Sequence, residues 1–434
     1  MPRILAPGLI SAVALLVCSG TSAGEEASGE VPEKPGGTGQ GQNWPAWRGS
    51  TGLGVSAEKG LPSRWSDTAG VKWKTPLPEA GNSTPIVWGE QVFLTQATQK
   101  GKERALLAFN RGDGRLLWKR AVEYREAEPT HEDNPYCSAS PATDGRRVIV
   151  SHGSAGVFSY DLKGSQLWRR DLGKIHHVWG NAASPVIDQD FCFLNWGPGE
   201  RTSLIALEME TGKTVWKVDI PGGLEGGDAK TWTGSWSTPL VLQVEARHEL
   251  VMSFPERLRA YEPETGRELW SCAGLGRLVY TSPIAGEGTV VAMSGFMGPT
   301  LAVRTGGRGD VSETHRLWRT DRAPQRIGSG VITGGHLYLV NDNGVAECLE
   351  LATGKPRWRE RLGLRIWGSL VLGEGKLHVV EESGDSFVFR ASPTFELISK
   401  NSLGEQTRAS IAVSGGEIFI RTFKHLFCIG SPGA

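Results

Sequence analysis

The sequence predicts an all-β fold, an eight-bladed β-propeller whose blades are four-stranded antiparallel sheets. Three observations predict it: a Gly-x-x-x-Trp unit that recurs along the chain, a hydroxyl side chain that recurs in phase with it, and an extra strand ahead of the first repeat. The composition agrees, with 58 glycines and 16 tryptophans among 434 residues. Many turns combined with many large aromatic side chains are typical of proteins built from short strands.

The tryptophan unit sets the length of the repeat. Its clear copies are DGRLLW, KGSQLW, TGKTVW, TGRELW and TGKPRW, and its degenerate copies are ETHRLW and DTAGVKW. They place tryptophans 40 to 54 residues apart, at Trp73, Trp118, Trp168, Trp216, Trp270, Trp318 and Trp358. Periods of this size belong to repeat architectures in which one four-stranded sheet is the unit. We expect these side chains on the outermost strands, where each fills the wedge between two diverging blades.

Between the tryptophans, a hydroxyl side chain recurs in one frame. The segments NSTP, SASP, AASP, WSTP and YTSP carry it, and IGSG, WGSL and RASI continue the frame without the proline. The aligned residues are Thr84, Ser140, Ser184, Thr238, Ser282, Ser329, Ser369 and Ser410, and each follows a small residue. Small residues suit segments at the axis of a propeller, because eight backbones converge there. The frame therefore predicts eight innermost segments.

The segment VKWKTPL, residues 71–77, is predicted to close the ring. The last repeat reaches CIG after only three strands, whereas this extra strand precedes the first repeat. Pairing the two removes strand edges that would otherwise promote aggregation. The propeller is therefore expected over residues 71–430, which gives 360 residues to eight blades.

The N-terminus is predicted to be an export signal covering residues 1–23. Arg3 supplies a positive charge ahead of the apolar run 9–17, and small residues stand at the −3 and −1 positions of a cleavage after Ala23. The run is too short to cross a bilayer as a helix, and no later segment is apolar enough. We therefore expect an exported protein, periplasmic or secreted, without a transmembrane segment.

Two further segments are predicted between this signal and the propeller. Residues 24–43 are rich in glycine and other polar residues, so they are expected to be a flexible linker. Residues 44–70 begin with WPAWRG and are expected to form an extension that packs on the propeller. A lipid anchor at Cys18 is the less favoured alternative, because Val17 occupies a position where a lipoprotein signal needs a small residue.

Charge and cysteine content narrow the function. The 47 basic and 47 acidic residues cancel, which argues against a nucleic-acid partner, since such proteins need a basic surface. Cleavage of the signal leaves Cys137, Cys192, Cys272, Cys348 and Cys428, whose spacing indicates neither a metal site nor a disulfide framework. The protein is expected to be a monomer.

The Thr-Gly-(Lys/Arg)-x-x-Trp turn and the Ser-Pro segments resemble the pyrroloquinoline quinone (PQQ)-type repeat, over nearly all of residues 71–430. Two branches share that repeat: the quinoprotein alcohol dehydrogenases, and cofactor-free propellers similar to the outer-membrane assembly factor BamB. The stretches WPAWRG, NWGPGERTSLIALE and QRIGSGVI resemble exported bacterial PQQ-like proteins that are uncharacterised. The repeat is specific for the fold and weak for the function.

The residues with the richest chemistry lie in the connections between the fourth strand of one blade and the innermost segment of the next. These connections are expected to meet around the axis on one face. Those leading to blades 2 to 4 bring His131, Glu132, Asp133, Asn134, His176, His177, Asn181, Asp228, Trp232 and Trp236. The others bring Arg277, Arg326, Arg365, Trp367 and Arg408. We interpret the set as a funnel with an acidic, histidine-bearing side and a basic side, suited to a small anionic ligand or a protein partner.

The stretch HEDNPYCSASP, residues 131–141, looks catalytic at first sight. Its second half belongs to the repeat, so Cys137 and Ser140 are interpreted as packing residues, and no catalytic residue is assigned. Nor is a metal site assigned. The neighbours His176 and His177 are expected to point in opposite directions in an extended chain, and the His-Glu-Asp triplet lacks the spacing of a zinc site.

The resemblance also implies an alternative, a quinoprotein-like oxidoreductase. Enzymes of that branch hold PQQ with a calcium ion bound by Glu, Asn and Asp, use a catalytic Asp, and carry a disulfide between adjacent cysteines. This chain has no Cys-Cys pair and is shorter than those enzymes. Glu132, Asn181 and Asp228 are the candidate ligands in this alternative. The favoured prediction is a binding or scaffolding module without a cofactor.

Overall fold

The computed structural model describes residues 43–222 and 232–430. Eight four-stranded antiparallel sheets follow one another along this part of the chain, and its helical content is one 3-10 turn at Gly153–Ala155. The predicted eight-bladed β-propeller is confirmed. The predicted export signal and all but one residue of the predicted linker lie outside the described residues. Within them, no helix is long and apolar enough to cross a membrane.

Each blade runs outward from the axis, and blades 1 to 7 do so in chain order. Blade 1 contains Ile86–Trp88, Gln91–Thr98, Glu103–Asn110 and Leu116–Glu123, and blade 2 contains Ala142–Thr143, Arg147–Ser151, Val157–Asp161 and Gln166–Arg170. Blade 3 contains Val186–Asp188, Phe191–Trp196, Arg201–Glu208 and Thr214–Pro221, and blade 4 contains Leu240–Val244, Arg247–Phe254, Arg257–Tyr261 and Glu268–Ala273. Blade 5 contains Ile284–Gly286, Thr289–Met293, Thr300–Arg304 and Arg316–Thr320, and blade 6 contains Val331–Thr333, His336–Val340, Val345–Glu350 and Pro356–Arg361. Blade 7 contains Val371–Gly373, Lys376–Val380, Asp385–Arg390 and Leu397–Ser402.

Blade 8 is built from both ends of the described chain. Its three inner strands are Ala412–Ser414, Glu417–Arg421 and His425–Ile429, and Val71–Pro76 pairs antiparallel with the last of them. The indole-bearing Trp73 lies opposite Cys428 in this pairing. The closing strand is therefore the one that the sequence predicts.

Most rim tryptophans dock on the turn between the third and fourth strands of the next blade. Their indole nitrogens donate to carbonyl oxygens of that turn at Trp73 (Arg111, 2.7 Å), Trp118 (Leu162, 3.2 Å), Trp168 (Met209, 2.9 Å), Trp216 (Pro263, 2.8 Å), Trp318 (Leu351, 2.7 Å) and Trp358 (Ser392, 3.0 Å). Gly354 in such a turn has a φ of 69°, and a Cβ there would lie 2.7 Å from the ring of Trp318. The Thr-Gly of the repeat thus serves the tryptophan of the preceding blade.

Trp270 departs from this pattern. Its indole donates to the carboxylate of Glu249, at 2.8 Å, inside its own blade. The following turn of blade 5 is longer, and its segment Gly309–Asp310 pairs in parallel with the outer strand of blade 4 at Trp270 and Ser271. The buried carboxylate of Glu249 also forms ion pairs with Arg247 and Arg308.

The recurring hydroxyls form a ring around the axis. A backbone N–H of one blade donates to the hydroxyl oxygen of the next blade at 2.8–3.0 Å, at the pairs Thr84–Ser140, Ser140–Ser184, Ser184–Thr238, Thr238–Ser282, Ser329–Ser369, Ser369–Ser410 and Ser410–Thr84. At the remaining step the Ser329 hydroxyl donates to the Ser282 carbonyl oxygen at 3.4 Å. The frame seen in the sequence is a closed circle of contacts, which explains why a hydroxyl occupies every copy.

The extension before the closing strand crosses the axis. Trp44 exchanges two backbone hydrogen bonds with Val87 of blade 1, and the carbonyl of the next residue, Pro45, accepts from Thr143 of blade 2. The segment then reaches blade 6 through Arg48, and Val55–Ser56 pairs in parallel with the first strand of blade 7. Residues 44–56 contact four different blades. A segment of thirteen residues can do so only near the axis, where the first strands converge. The extension therefore plugs one end of the central channel.

Candidate functional site

A cavity of about 270 Å³ lies on the axis. Seven of the eight ring hydroxyls line it, and so does Trp47 from the plugging extension. In each blade the chain passes from the connection to the ring hydroxyl and then to the first strand, where the extension is bound. The cavity is therefore blocked by Trp47 at one end, and it faces the connections at the other end.

One wall of the cavity is aromatic. Trp236 meets Tyr280 edge to face at 5.1 Å between ring centroids, and Tyr280 meets Phe296 at 5.8 Å. These three residues come from blades 4 and 5, and all of them line the cavity. Trp179 adds a fourth ring from the connection to blade 3, with His131 stacked on it at 4.2 Å.

A charged cluster lies at the cavity on the side of blades 7 and 8. Arg408 contacts Asp133 at 2.6 Å and Glu382 at 2.7 Å. Arg365 contacts the same two carboxylates, at 3.1 Å and 3.0 Å. Both guanidiniums lie over the indole of Trp367, at 4.8 Å for Arg365 and 5.0 Å for Arg408. The cluster is a closed set of two cations and two anions.

This cluster differs from the expected division of the funnel. Asp133 was assigned to an acidic side facing a basic side, yet it lies in direct contact with both Arg365 and Arg408. The connection to blade 2 reaches across the mouth of the cavity. Asp133 thereby contacts Arg365 and Arg408, which lie in the connections to blades 7 and 8. Both guanidiniums are therefore paired with carboxylates of the protein, Asp133 and Glu382.

Arg326 and Arg277 lie away from this cluster. Arg326 is buried, does not line the cavity, and forms an ion pair with the buried Glu347 of its own blade. Arg277 is held by Thr233, with its Nε and Nη2 donating to the threonine hydroxyl at 3.1 Å and 2.9 Å. Of the four predicted arginines, the structure brings two to the cavity.

The two adjacent histidines do point in opposite directions. His176 is exposed, whereas His177 is fully buried against the edges of Trp232 and Trp236. Burial lowers the pKa of His177 to about 4, with the neighbouring His176 as a smaller cause. His177 is thus a neutral packing residue beneath the aromatic wall at neutral pH.

The remaining predicted residues occupy the mouth. Asn134 lines the cavity and donates to the Trp179 carbonyl oxygen at 2.6 Å. Asn181 donates to the Gly197 carbonyl oxygen, and Glu132 is exposed. Asp228, the other residue named for the acidic side, lies outside the described residues.

Several cavity residues escaped the sequence reasoning. The most important are Phe296 and Asp342, which come from turns between the second and third strands of blades 5 and 6. In an antiparallel blade these turns emerge on the same face as the connections, so the topology was a usable signal. Trp47 was missed because nothing local indicates that the extension crosses the axis.

Three polar atoms of the cavity residues are buried without a hydrogen-bond partner among residues 43–222 and 232–430. They are Oδ1 of Asn82, Oδ1 of Asp342 and the indole nitrogen of Trp367. Such atoms are costly unless something pairs with them. Burial is also the main reason why the pKa of Asp342 is raised. Two oxygens and one N–H donor of the residues around the cavity are therefore buried and unpaired.

The described residues do not supply an evident calcium site. Calcium takes six to eight oxygen ligands, usually with several carboxylates. Within residues 43–222 and 232–430, no group of three or more His, Cys, Asp or Glu side chains could hold a metal ion. Two carboxylates line the cavity, Asp133 and Asp342, and Asp133 is already engaged by two guanidiniums. The described residues around the cavity thus fit PQQ with calcium poorly.

Cys137 is buried in a left-handed turn, with a φ of 63°. Burial raises the pKa of its thiol to about 12, with the nearby Arg104 and Arg421 opposing this effect. Its sulfur contacts Nδ1 of the buried His152 at 3.5 Å. Burial lowers the pKa of His152 to about 3. Since the thiol keeps its proton at neutral pH, the packing interpretation of this residue agrees with its surroundings.

Comparison with solved structures places the fold among PQQ-type propellers. BamB from Moraxella catarrhalis aligns with a TM-score of 0.60 at 13% identity, over 83% of this chain and 97% of that one. A quinohemoprotein alcohol dehydrogenase from Comamonas testosteroni aligns with a TM-score of 0.66 at 11% identity, over 91% and 82%. A europium-containing methanol dehydrogenase aligns with a TM-score of 0.64 at 10% identity, over 87% and 89%.

At these identities the structural likeness concerns the fold alone. A search of curated protein sequences found no significant match. The profile of one family, described as "Outer membrane protein assembly factor BamB", matches residues 53–222, 200–308 and 307–392. These matches cover most of the chain and coincide with the repeat whose blades, rim tryptophans and hydroxyl ring are described above. The chain therefore belongs to this family of PQQ-like repeat propellers.

Proposed function

We propose that this protein is an exported binding module, and that its ligand or partner enters the axial cavity from the face that carries the connections. The observation that carries the proposal is the cavity itself, which the extension closes at one end. Ligand sites in proteins are concave, largely apolar and equipped with a few placed polar groups. Aromatic rings, three unpartnered polar atoms and a ring of hydroxyls meet that description.

Export is part of the proposal and rests on the sequence of residues 1–23, with the charged start, the apolar run and the small residues before Ala23. A protein partner remains within the proposal, because Val178, Met297 and Leu364 are exposed apolar side chains in turns on the same face. No resident cofactor is proposed, since the arginines of the cavity are engaged by carboxylates.

A cavity-filling variant tests the proposal. Ala182→Trp introduces an indole from the cavity wall, and Ala121→Trp, on the exposed rim of blade 1, is the matched control. Thermal shifts are measured with a panel of sugars, amino acids, nucleosides and organic acids. We expect one class to stabilise the native protein and Ala121→Trp but not Ala182→Trp. If no class stabilises the native protein, or if Ala182→Trp responds equally, the proposal of a small-molecule ligand in the cavity is wrong.

A quinoprotein-like oxidoreductase is the second candidate, favoured by the similarity of the fold to two dehydrogenase structures. Of the three candidate ligands that the resemblance implies, Glu132 and Asn181 lie among the described residues. Adding PQQ with calcium to the purified protein separates the two candidates. A new absorbance band together with dye-linked alcohol oxidation would establish the enzyme, and the absence of both would remove it.

A further inference from the structure

The charges of the cavity disfavour an ionic ligand. Four charged residues line it, Asp133, Asp342, Arg365 and Arg408, so two cations face two anions. Because Asp133 contacts both arginines at 2.6–3.1 Å, an anionic ligand would have to compete with this carboxylate for the guanidiniums. Bringing an anion into this cluster would require breaking a closed network in a partly buried setting, which is costly.

The shape of the cavity points to a small, ring-containing ligand. Its volume of about 270 Å³ is just below the ~300–1,000 Å³ range of pockets for drug-sized molecules. Trp236 and Tyr280 form one wall, and Trp367 stands on the side of blades 7 and 8. Aromatic side chains therefore line the cavity on the side of blades 4 and 5, and Trp367, covered by two guanidiniums, lines the opposite side.

The polar atoms specify hydroxyl groups. Asn82 and Asp342 each leave an oxygen without a partner, and Trp367 leaves an N–H donor. The ring hydroxyls that line the cavity accept backbone N–H groups, so their own protons remain available as donors. A hydroxyl group both donates and accepts, so it satisfies every one of these positions.

We propose that the cavity binds a neutral pyranose, either a free sugar or the terminal unit of a saccharide chain. A pyranose has C–H faces that stack on aromatic rings and hydroxyl groups around its edge, which matches the distribution of aromatic and polar atoms described above. Because Trp47 blocks one end of the cavity, an internal stretch of a polysaccharide cannot pass through. This inference rests on the proposed axial binding function and deepens it.

The test is titration calorimetry of the full chain with a defined set of probes. The neutral sugars are glucose, galactose, mannose, N-acetylglucosamine, maltose and cellobiose, and the charged counterparts are glucuronate and glucose 6-phosphate. We expect at least one neutral sugar to bind at least tenfold more tightly than either anion. Binding by none of the neutral sugars at 50 mM, or tighter binding of an anion, would overturn the inference.

Two variants locate the binding. Trp367→Phe keeps a ring but removes the unpartnered N–H donor, and we expect it to weaken sugar binding about tenfold. Trp318→Phe removes an indole donor from the rim, 2.7 Å from the Leu351 carbonyl oxygen, and should leave the affinity unchanged. Equal losses in the two variants, or none in Trp367→Phe, would contradict the inference.

Two further comparisons distinguish a free sugar from the end of a saccharide chain, and the saccharide proposal from the axial binding function. The best-bound disaccharide is compared with its hexamer, and equal molar affinity identifies the terminal unit of a chain as an acceptable ligand. If a non-sugar class stabilises the native protein but not Ala182→Trp, the saccharide is wrong while the axial binding function stands. If nothing in either panel binds, both are wrong.

Discussion

Arg48 shows what a single residue of the extension contributes. Its guanidinium is 2% exposed and donates to four carbonyl oxygens, two in its own segment and two at Ser329 and Gly330 of blade 6. Burial lowers the pKa of Arg48 to about 9, so it remains charged at neutral pH. Arg48 thus ties the extension to blade 6, and Gly54, where a Cβ would lie 2.8 Å from the guanidinium, leaves room for its side chain.

Arg48→Ala is expected to destabilise the protein by roughly 3–5 kcal/mol, because two buried and two partly buried carbonyl oxygens lose their donor. Arg48→Lys should recover part of the loss, since an ammonium donates three hydrogen bonds. Chemical denaturation gives the free energies of unfolding. A loss below about 1 kcal/mol for the alanine variant would show that the extension is held by other contacts.

Buried histidines predict the response to acid. His378 is fully buried with both ring nitrogens unpartnered, and burial lowers its pKa to about 4. The unfolded chain takes up this proton below about pH 6.5 while the folded protein does not. Stability is therefore complete above pH 6.5 and falls as the pH drops towards 4, by up to about 1.4 kcal/mol per pH unit for each such histidine.

His378→Leu should lose less stability than the native protein between about pH 6.5 and 4.5. The slope of its unfolding free energy against pH should be smaller, because the unfolded variant takes up one proton fewer. His177 and His152 continue to contribute in the variant, because burial lowers their pKa values too. Urea unfolding at a series of pH values measures the slope. Parallel losses in the native protein and His378→Leu would refute the assignment.

At the scale of elements, the recurring contact of the fold joins the outer strand of one blade to the turn between the third and fourth strands of the next blade. Five of the seven rim tryptophans pack against a glycine of the next blade, so the Thr-Gly and the Trp of one sequence copy act in different wedges. This is why the repeat is clear in the sequence: two blades constrain each copy. Where the next turn is longer, at Trp270, the carboxylate of Glu249 replaces the carbonyl oxygen.

Gly354→Ala tests this reciprocity, with Gly404→Ala as its control. Both glycines have positive φ, 69° and 66°, but a Cβ on Gly354 meets Trp318 at 2.7 Å while a Cβ on Gly404 meets nothing within 4 Å. The control should lose roughly 1 kcal/mol from backbone strain. Gly354→Ala should lose a further 1–3 kcal/mol from overpacking. Equal free energies of unfolding for the two variants would mean that the space around Trp318 accommodates the added methyl group without cost.

The site shows where prediction from the sequence ends. The connections were found because the repeat fixes their positions, and Asp133, Trp236, Trp367 and Arg408 do line the cavity. Arg326 was placed in the funnel, although its ion pair with Glu347 keeps it buried and away from the cavity. Such a pair depends on strand register and side-chain direction across a blade, and neither is encoded by the repeat.

At the scale of the molecule, closure of the ring depends on the extension and the strand that follows it. Removal of residues 1–77 exposes the edge of His425–Ile429 and deletes the plug, so the melting temperature should fall by more than about 10 °C. A chain beginning at residue 43 should melt like the full protein. Adding residues 43–77 as a separate peptide should restore stability, and an unchanged melting temperature without it would disprove the closing role.

The same closing strand has a consequence for how the protein is made. Trp73 pairs with Cys428, so an early strand must wait for almost the whole chain before it finds its partner. Contacts between residues so far apart in sequence form late and slowly. Until then two unpaired edges of matching register exist in every chain, and at high concentration one molecule can lend its strand to another. Domain-swapped rings are therefore the expected by-product of crowded refolding, and dilution is the expected remedy.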